Sequence, residues 1–180
     1  MKAFLFDTET TDLIANSVIA EHHRPYIIEF YGMILELKDG QWTKVEELEF
    51  FCKPRVRITD TITRITGIIN DDIKDAKPFS EHAEDVKRII KSADMAVAHN
   101  LSYDAAVVDV EFERLKSSVD WPLCMLCTVE ATEHLRGHRL RLSDLHEELF
   151  GEKFEGAHRA RTDVEAMGRC FIELWERDEI

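Results

Sequence analysis

Four carboxylates in this sequence have the types and spacing for cation chemistry: Asp7 and Glu9 near the start, Asp104 in the middle and Asp163 near the end. Asp7 and Glu9 are two positions apart, so on an extended chain they project from the same face. Asp163 lies about one helical turn before Met167, on a stripe continued by Cys170, Phe171 and Leu174, where a hydrophobic side chain is expected. Asp104 poses the same problem ahead of Val107, Val108, Phe112 and Leu115. Taken singly, each acid has a plain reading: Asp7 ends a strand, Asp104 caps the helix that follows it, and Asp163 favours the positive end of a helix dipole. Taken together, at a strand end and at helix starts, they suggest one site. Gathering them costs on the order of 1 to 4 kcal/mol for each like-charge pair at about 4 Å, a cost that bound cations remove. Hard oxygen ligands select Mg²⁺ or Mn²⁺ over zinc, which prefers nitrogen and sulfur. His158, five residues before Asp163 in a glycine-bearing stretch, is the candidate base beside them, although a lone histidine in such a loop is usually just solvated.

The elements that must hold these side chains can be read from periodicity. Residues 3–6 form a short apolar strand, and residues 26–37 form a longer one ending at the turn signal Lys38-Asp39-Gly40-Gln41. The return strand is expected over 45–52, closed off by Pro54. The polar segment 14–25, with His22 and His23, reads as a loop. Phe79, Ala83, Val86, Ile89 and Ile90 recur with a helical period, with Ser80 placed to cap the start. A buried strand over 95–98 leads through His99-Asn100 into a second helix from about 105 to 115, and a fifth strand is expected near 123–128. Helices over 142–150 and roughly 160–177 flank a glycine-bearing loop at 151–157. The order β-β-β-α-β-α-β-α-α is an α/β pattern, an antiparallel meander leading into strands joined through helices, and it predicts a mixed sheet within a single domain spanning residues 1–180.

Composition narrows the classes of function. The 36 acidic against 23 basic residues give a formal charge of −13, which argues against gripping nucleic acid by a broad cationic surface. That charge is compatible with holding a few terminal nucleotides if part of it sits in a metal site, and binding is then expected to be weak and salt-sensitive. The N-terminal MKAFLFDTET is neither a signal peptide nor a membrane span, so a cytoplasmic location and no membrane partner are expected. Cys52, Cys124, Cys127 and Cys170 read as thiols of a reducing compartment, with no disulfides. Cys124 and Cys127 with His134 and His138 spell the letters of a zinc site, but the inner spacer of six residues is about half of what the usual finger supplies.

The motifs Phe6-Asp7-Thr8-Glu9-Thr10-Thr11, His99-Asn100-Leu101-Ser102-Tyr103-Asp104 and His158-Arg159-Ala160-Arg161-Thr162-Asp163 resemble, in order and separation, those of the DEDDh 3′-to-5′ exonucleases. That group includes the proofreading epsilon subunit of bacterial DNA polymerase III, oligoribonuclease and ribonuclease T. Arg64-Ile65-Thr66-Gly67-Ile68 and Leu142-Ser143-Asp144-Leu145 are weaker echoes, so the likeness spans nearly the whole chain. Asp12 stands where the family usually has glycine, and the loop over 14–25 is longer than the family minimum.

The resemblance implies an RNase H-like fold, a mixed five-stranded sheet flanked by helices, and release of nucleoside monophosphates from 3′ ends with two divalent cations. Under it, Asp7 bridges both ions, Glu9 and Asp163 complete the site of the attacking water, Asp104 supports the second ion and His158 is the general base. An imidazole ordinarily titrates near pH 6.5, so activity is expected to fall below that region. Thr8 and Thr10, Asn100 and Tyr103 are the candidate contacts to the terminal nucleotide. Packing for Tyr103 and helix capping for Asn100 are equally open. DNA ends are the expected substrate, with RNA ends or a non-cleaving binding role as the alternatives. The sequence stops at Ile180 directly after the last helix, without the kind of tail by which proofreading subunits contact a polymerase, so such a partner stays open and a stand-alone bacterial or phage enzyme is expected.

Overall fold

The computed structural model describes residues 1–12 and 24–180. The segment 13–23, which takes in most of the expected 14–25 loop, lies outside the described residues. Five strands, β1 (Lys2–Thr10), β2 (Ile27–Lys38), β3 (Gln41–Phe51), β4 (Met95–Ala98) and β5 (Cys124–Cys127), form one sheet in the order β3-β2-β1-β4-β5. The first three pair antiparallel, and β1–β4 and β4–β5 pair parallel, which is the mixed sheet the element order predicts. At the β2–β3 turn Asp39 and Gly40 both have positive φ, 52° and 79°, as an Asp-Gly hairpin requires.

Alternation along β1 sorts its side chains onto two layers. Phe4 and Phe6, stacked with centroids 4.9 Å apart, face a core shared with α2 (Ala83–Lys91) and α3 (Leu101–Arg114) through Val86, Ile89, Val107, Val108 and Phe112. Ala3 and Leu5 face the other core, formed with α7 (Ala160–Glu176) through Ala160, Val164, Met167 and Phe171. Asp7 and Glu9 continue the odd-numbered series, so they emerge on the α7 side at the end of the strand. Gly32 lies opposite Phe6 because the sheet leaves no room beside the aromatic pair: a Cβ there would sit 2.5 Å from Phe4 Cε2.

Several bounds differ from the sequence-based expectation. α3 starts at Leu101 rather than near 105, so Asp104 lies inside its first turn and does not cap it. Asn100 holds the cap position in a left-handed conformation, φ 77°, and its side chain makes no capping hydrogen bond. Ser80 does not cap either; the chain enters α2 through a short 3₁₀ turn, Phe79–Glu81, behind Pro78. Three short helices went unanticipated: α1 (Asp60–Thr66), α4 (Thr128–Ala131) and α5 (Glu133–Arg136). The helix α6 (Leu142–Phe150) has its expected bounds and packs on α7 through Leu145, Leu149, Cys170 and Leu174. No helix among the described residues is long and apolar enough to cross a membrane.

Candidate active site

β1 and β4 are paired only through Ala3–Leu5 and Met95–Val97. Beyond that the two parallel strands part, and a crevice opens at their carboxyl ends, where open α/β sheets place ligands. Asp7 rises from the β1 side of the crevice, and His99 and Asn100 from the β4 side. The loop before α7 adds Ala157, His158 and, one turn later, Asp163, and Leu140–Ser143 and Phe154 close the cleft to about 470 Å³.

The predicted acids are brought together here. Glu9, His158 and Asp163 each offer a ligand atom within 4.8 Å of the others. Asp7 meets the field of Asp104, Glu9 and Asp163, and burial together with these neighbours pushes its carboxyl well above the usual range. Burial and repulsion from Asp163, Glu29 and Asp104 push Glu9 up to about 8, with Arg159 opposing. Burial raises Asp104 to about 7 against the pull of two hydrogen bonds from Thr8, and raises Asp163 to about 6 against the His158 N–H. Carboxyls that are desolvated, mutually repelling and short of positive neighbours gain from a nearby cation. The donor set of buried carboxylates with one imidazole fits a hard divalent ion.

Each acid has a structural reason for its place. Thr8, on the α3 side of β1, donates to Asp104 Oδ1 from its backbone N–H at 3.1 Å and its hydroxyl at 2.7 Å, which fixes the Asp104 carboxylate. Asp163 Oδ2 accepts the backbone N–H of His158 at 2.9 Å, tying the loop to the first turn of α7. His158 itself has φ 69°, a conformation uncommon for a residue with a Cβ and concentrated at functional positions. His99, pushed down to about 4 by burial, is neutral: Nε2 donates to the Leu140 carbonyl at 3.1 Å, leaving Nδ1 to accept from Thr128 at 2.9 Å. It is a brace between β4, α4 and the entry to α6.

The candidate substrate contacts divide. Asn100 is exposed and lines the cleft. The hydroxyls of Thr10 and Tyr103 share a hydrogen bond at 2.6 Å and both lie within hydrogen-bond reach of the Asp12 carbonyl, at 2.8 and 2.9 Å, so they shape the turn after β1. The Tyr103 ring also packs on the α3-side core. Thr8 is buried and engaged by Asp104.

Two residues escaped sequence reasoning. Glu29, nearly fully buried on β2 opposite Glu9, accepts a two-pronged contact from Arg159 (Nη2 to Oε1 2.7 Å, Nε to Oε2 3.1 Å) and the Ala160 N–H at 3.1 Å. It thereby holds the start of α7 against the sheet. The signal was a carboxylate inside the buried apolar run at the start of β2, Ile27-Ile28-Glu29-Phe30. Arg141, exposed on the cleft wall, is the other. The zinc-like letters do not converge: Cys124 and Cys127 lie on β5, while His134 and His138 bond to the carbonyls of Ala131 and Arg136.

Comparison with known proteins agrees with this geometry. The family model described as Exonuclease (RNase_T) matches residues 4–171. The chain is 31% identical over 156 residues to the 3'-5' exonuclease DinG of Bacillus subtilis (strain 168), covering 84% of this chain and 16% of that protein. It is 29% identical over 177 residues to the PolC-type DNA polymerase III of Caldanaerobacter subterraneus subsp. tengcongensis, covering 96% of this chain and 11% of that protein. The chain thus spans less than a fifth of the length of these curated relatives. Among solved structures, the nuclease domain of 3'hExo, a DEDDh family member bound to rAMP, superposes with a TM-score of 0.75 at 14% identity, covering 98% of this chain and 92% of that one. Exonuclease X in complex with 5' overhanging duplex DNA gives a TM-score of 0.65 at 20% identity, covering 97% and 92%. With an RNase H-like sheet, all three motifs meeting at its carboxyl edge and a match over nearly its whole length, the chain belongs to the exonuclease family of divalent-metal-dependent hydrolytic nucleases, in the fold of the DEDDh member 3'hExo.

Proposed function

We propose that this chain removes nucleoside monophosphates from the 3′ end of DNA, at single-stranded or frayed termini, using two divalent cations, Mg²⁺ or Mn²⁺. The observation that carries the reading is the clustering of Asp7 with Glu9, Asp104 and Asp163, with Asp7, Asp163 and His158 lining one cleft. DNA is placed ahead of RNA because the curated relatives include a DNA polymerase.

Asp7, Glu9, Asp104 and Asp163 hold the ions. Bound there, the cations supply an acidified water and counter-charge for the departing 3′ oxygen. His158, in the loop that rims the cleft, takes the proton of the attacking water. Thr8 keeps Asp104 aimed inward, and Asn100 faces the terminal nucleotide.

The test uses 5′-labelled DNA and RNA strands of one sequence with Mn²⁺. The expected result is a ladder shortening from the 3′ end, faster on DNA, with mononucleotide product and no digestion by Asp7→Asn. Faster loss of the RNA strand would move the substrate class to RNA. Equal digestion by the folded Asp7→Asn variant would overturn the assignment.

A further inference from the structure

A strand leaving the carboxylate cleft needs its remaining phosphates neutralised, yet the chain carries −13 and about half of its lysines and arginines are already engaged in ion pairs. Arg88 pairs with Glu46 and Asp85, Arg136 with Glu148, Lys153 with Asp144 and Glu147, and Arg161 with Glu47 and Glu49. One groove is different. Beyond the end of β3, residues 53–57 and 70–74 enclose about 270 Å³ lined by Lys53, Arg55, Arg57 and Lys74, with no acid in the lining. Among the described residues, Arg55, Arg57 and Lys74 have no ion-pair partner for their side chains. Asp71, Asp72 and Asp75 lie on the same loop outside the lining, and Asp72 is occupied by the Ile69 N–H at 2.9 Å.

The groove is on the same end of the sheet as the carboxylates. Glu9 is paired with Glu29 and Glu29 with Phe51, so the end of β3 is two strand spacings, about 10 Å, from Glu9. Lys53 follows two residues later. The walls are held in place: Lys53 N–H donates to the Lys77 carbonyl at 3.1 Å, and Asn70 exchanges side-chain hydrogen bonds with the Ile58 backbone at 2.9 and 3.0 Å. Ile58, Ile68 and Ile73 pack beneath on Ile28 of β2. Guanidinium groups at Arg55 and Arg57, exposed along the groove, offer the forked geometry that phosphate oxygens take.

We infer that this groove binds the phosphates of the polynucleotide strand on the 5′ side of the scissile bond, so that the 3′ end enters the cleft while the body of the strand runs toward the β3 edge. The inference rests on the nuclease reading for its substrate class. Its test reads binding rather than cleavage: anisotropy of a 5′-labelled twelve-nucleotide DNA strand with Ca²⁺, over a salt series, for the intact protein, for Arg55→Ala/Arg57→Ala, and for Lys38→Ala/Lys91→Ala. The last pair removes equal charge from exposed lysines at the opposite end of the sheet. Loss of two phosphate contacts should weaken binding about fivefold or more and lower the slope of log K against log salt by about 1.4, at roughly 0.7 for each single-strand phosphate. The lysine pair should bind like the intact protein. If Arg55→Ala/Arg57→Ala, folded by circular dichroism, keeps the affinity and slope of the lysine pair, the groove is not a strand site, whatever the digestion assay shows. Should the intact protein digest nothing while the arginine pair still loses binding, the groove stands and the nuclease reading fails.

Discussion

At the scale of single residues, the site depends on a carboxylate that ligates nothing. Glu29 accepts the Ala160 N–H and the Arg159 guanidinium, and so anchors the two residues that follow His158. Partners one layer out from ligands typically change activity or metal affinity by about 10- to 100-fold when lost. Glu29→Ala is therefore expected to lower kcat by that order, while Glu29→Gln, which keeps an acceptor for the Ala160 N–H, should retain more of it. Steady-state kinetics on a short DNA strand checks both, and an unchanged kcat in Glu29→Ala would remove the anchoring role. His99 makes a second residue-scale case. Its two nitrogens are used by Leu140 and Thr128, so His99→Leu strands the Leu140 carbonyl and leaves the Thr128 hydroxyl only its longer contact to the Ala98 carbonyl, at an expected cost of about 1–3 kcal/mol in denaturant unfolding.

Among the elements, what the sequence made legible was whatever periodicity encodes. The hairpin, β4 and α6 follow from alternation, an Asp-Gly turn and a helical stripe, and the acids on the apolar stripes of α3 and α7 announced the cleft. What it concealed was context. Asn100 reads as a capping residue, but at φ 77° it turns the chain from β4 into α3 and leaves its side chain to the cleft. Thr8, between Asp7 and Glu9, is a candidate substrate contact in the sequence, and only the placement of α3 shows that its hydroxyl meets Asp104. Glu29 and Arg159, 130 residues apart, have no local pattern that pairs them. Close approach of elements is similarly invisible in sequence and testable in the fold. Gly32 lets β2 pass the Phe4 ring, and Gly32→Ala would place a Cβ 2.5 Å from Cε2 and 2.9 Å from Cζ of a fully buried ring. Overpacking of this kind costs about 1–3 kcal/mol, so a lower Tm with β1 still paired is the expected outcome of thermal melts.

For the molecule as a whole, the acidic cluster links stability, pH and metal. Without ions, Asp163 is held at about 6, Asp104 at about 7 and Glu9 at about 8, each above the value near 4 of an unfolded carboxyl. The folded chain thus binds more protons than the unfolded one between about pH 4 and pH 8. Stability contributed by these protonated groups is present below that window and is lost as pH rises through it, so the metal-free protein should melt at lower temperature at pH 8 than at pH 5.5. A divalent ion competes with those protons and binds the folded site, so its effect should run the other way. Free ion at a hundred times its Kd stabilises by about 2.7 kcal/mol, or roughly 5 to 10 °C for a chain of this size. Since protons must leave before the ion can bind, the gain from Mn²⁺ at a fixed concentration should be larger at pH 8 than at pH 6. Asp7→Asn removes the carboxyl at the centre of the repulsion and, under the proposed function, one ligand of the ions. It should raise the metal-free Tm at pH 8 and shrink the Mn²⁺ shift, a combination that ordinary damage to the fold would not produce. Melts of both proteins with EDTA and with Mn²⁺ at the two pH values decide it, and a Mn²⁺ shift of the same size in Asp7→Asn would show that the ions bind elsewhere.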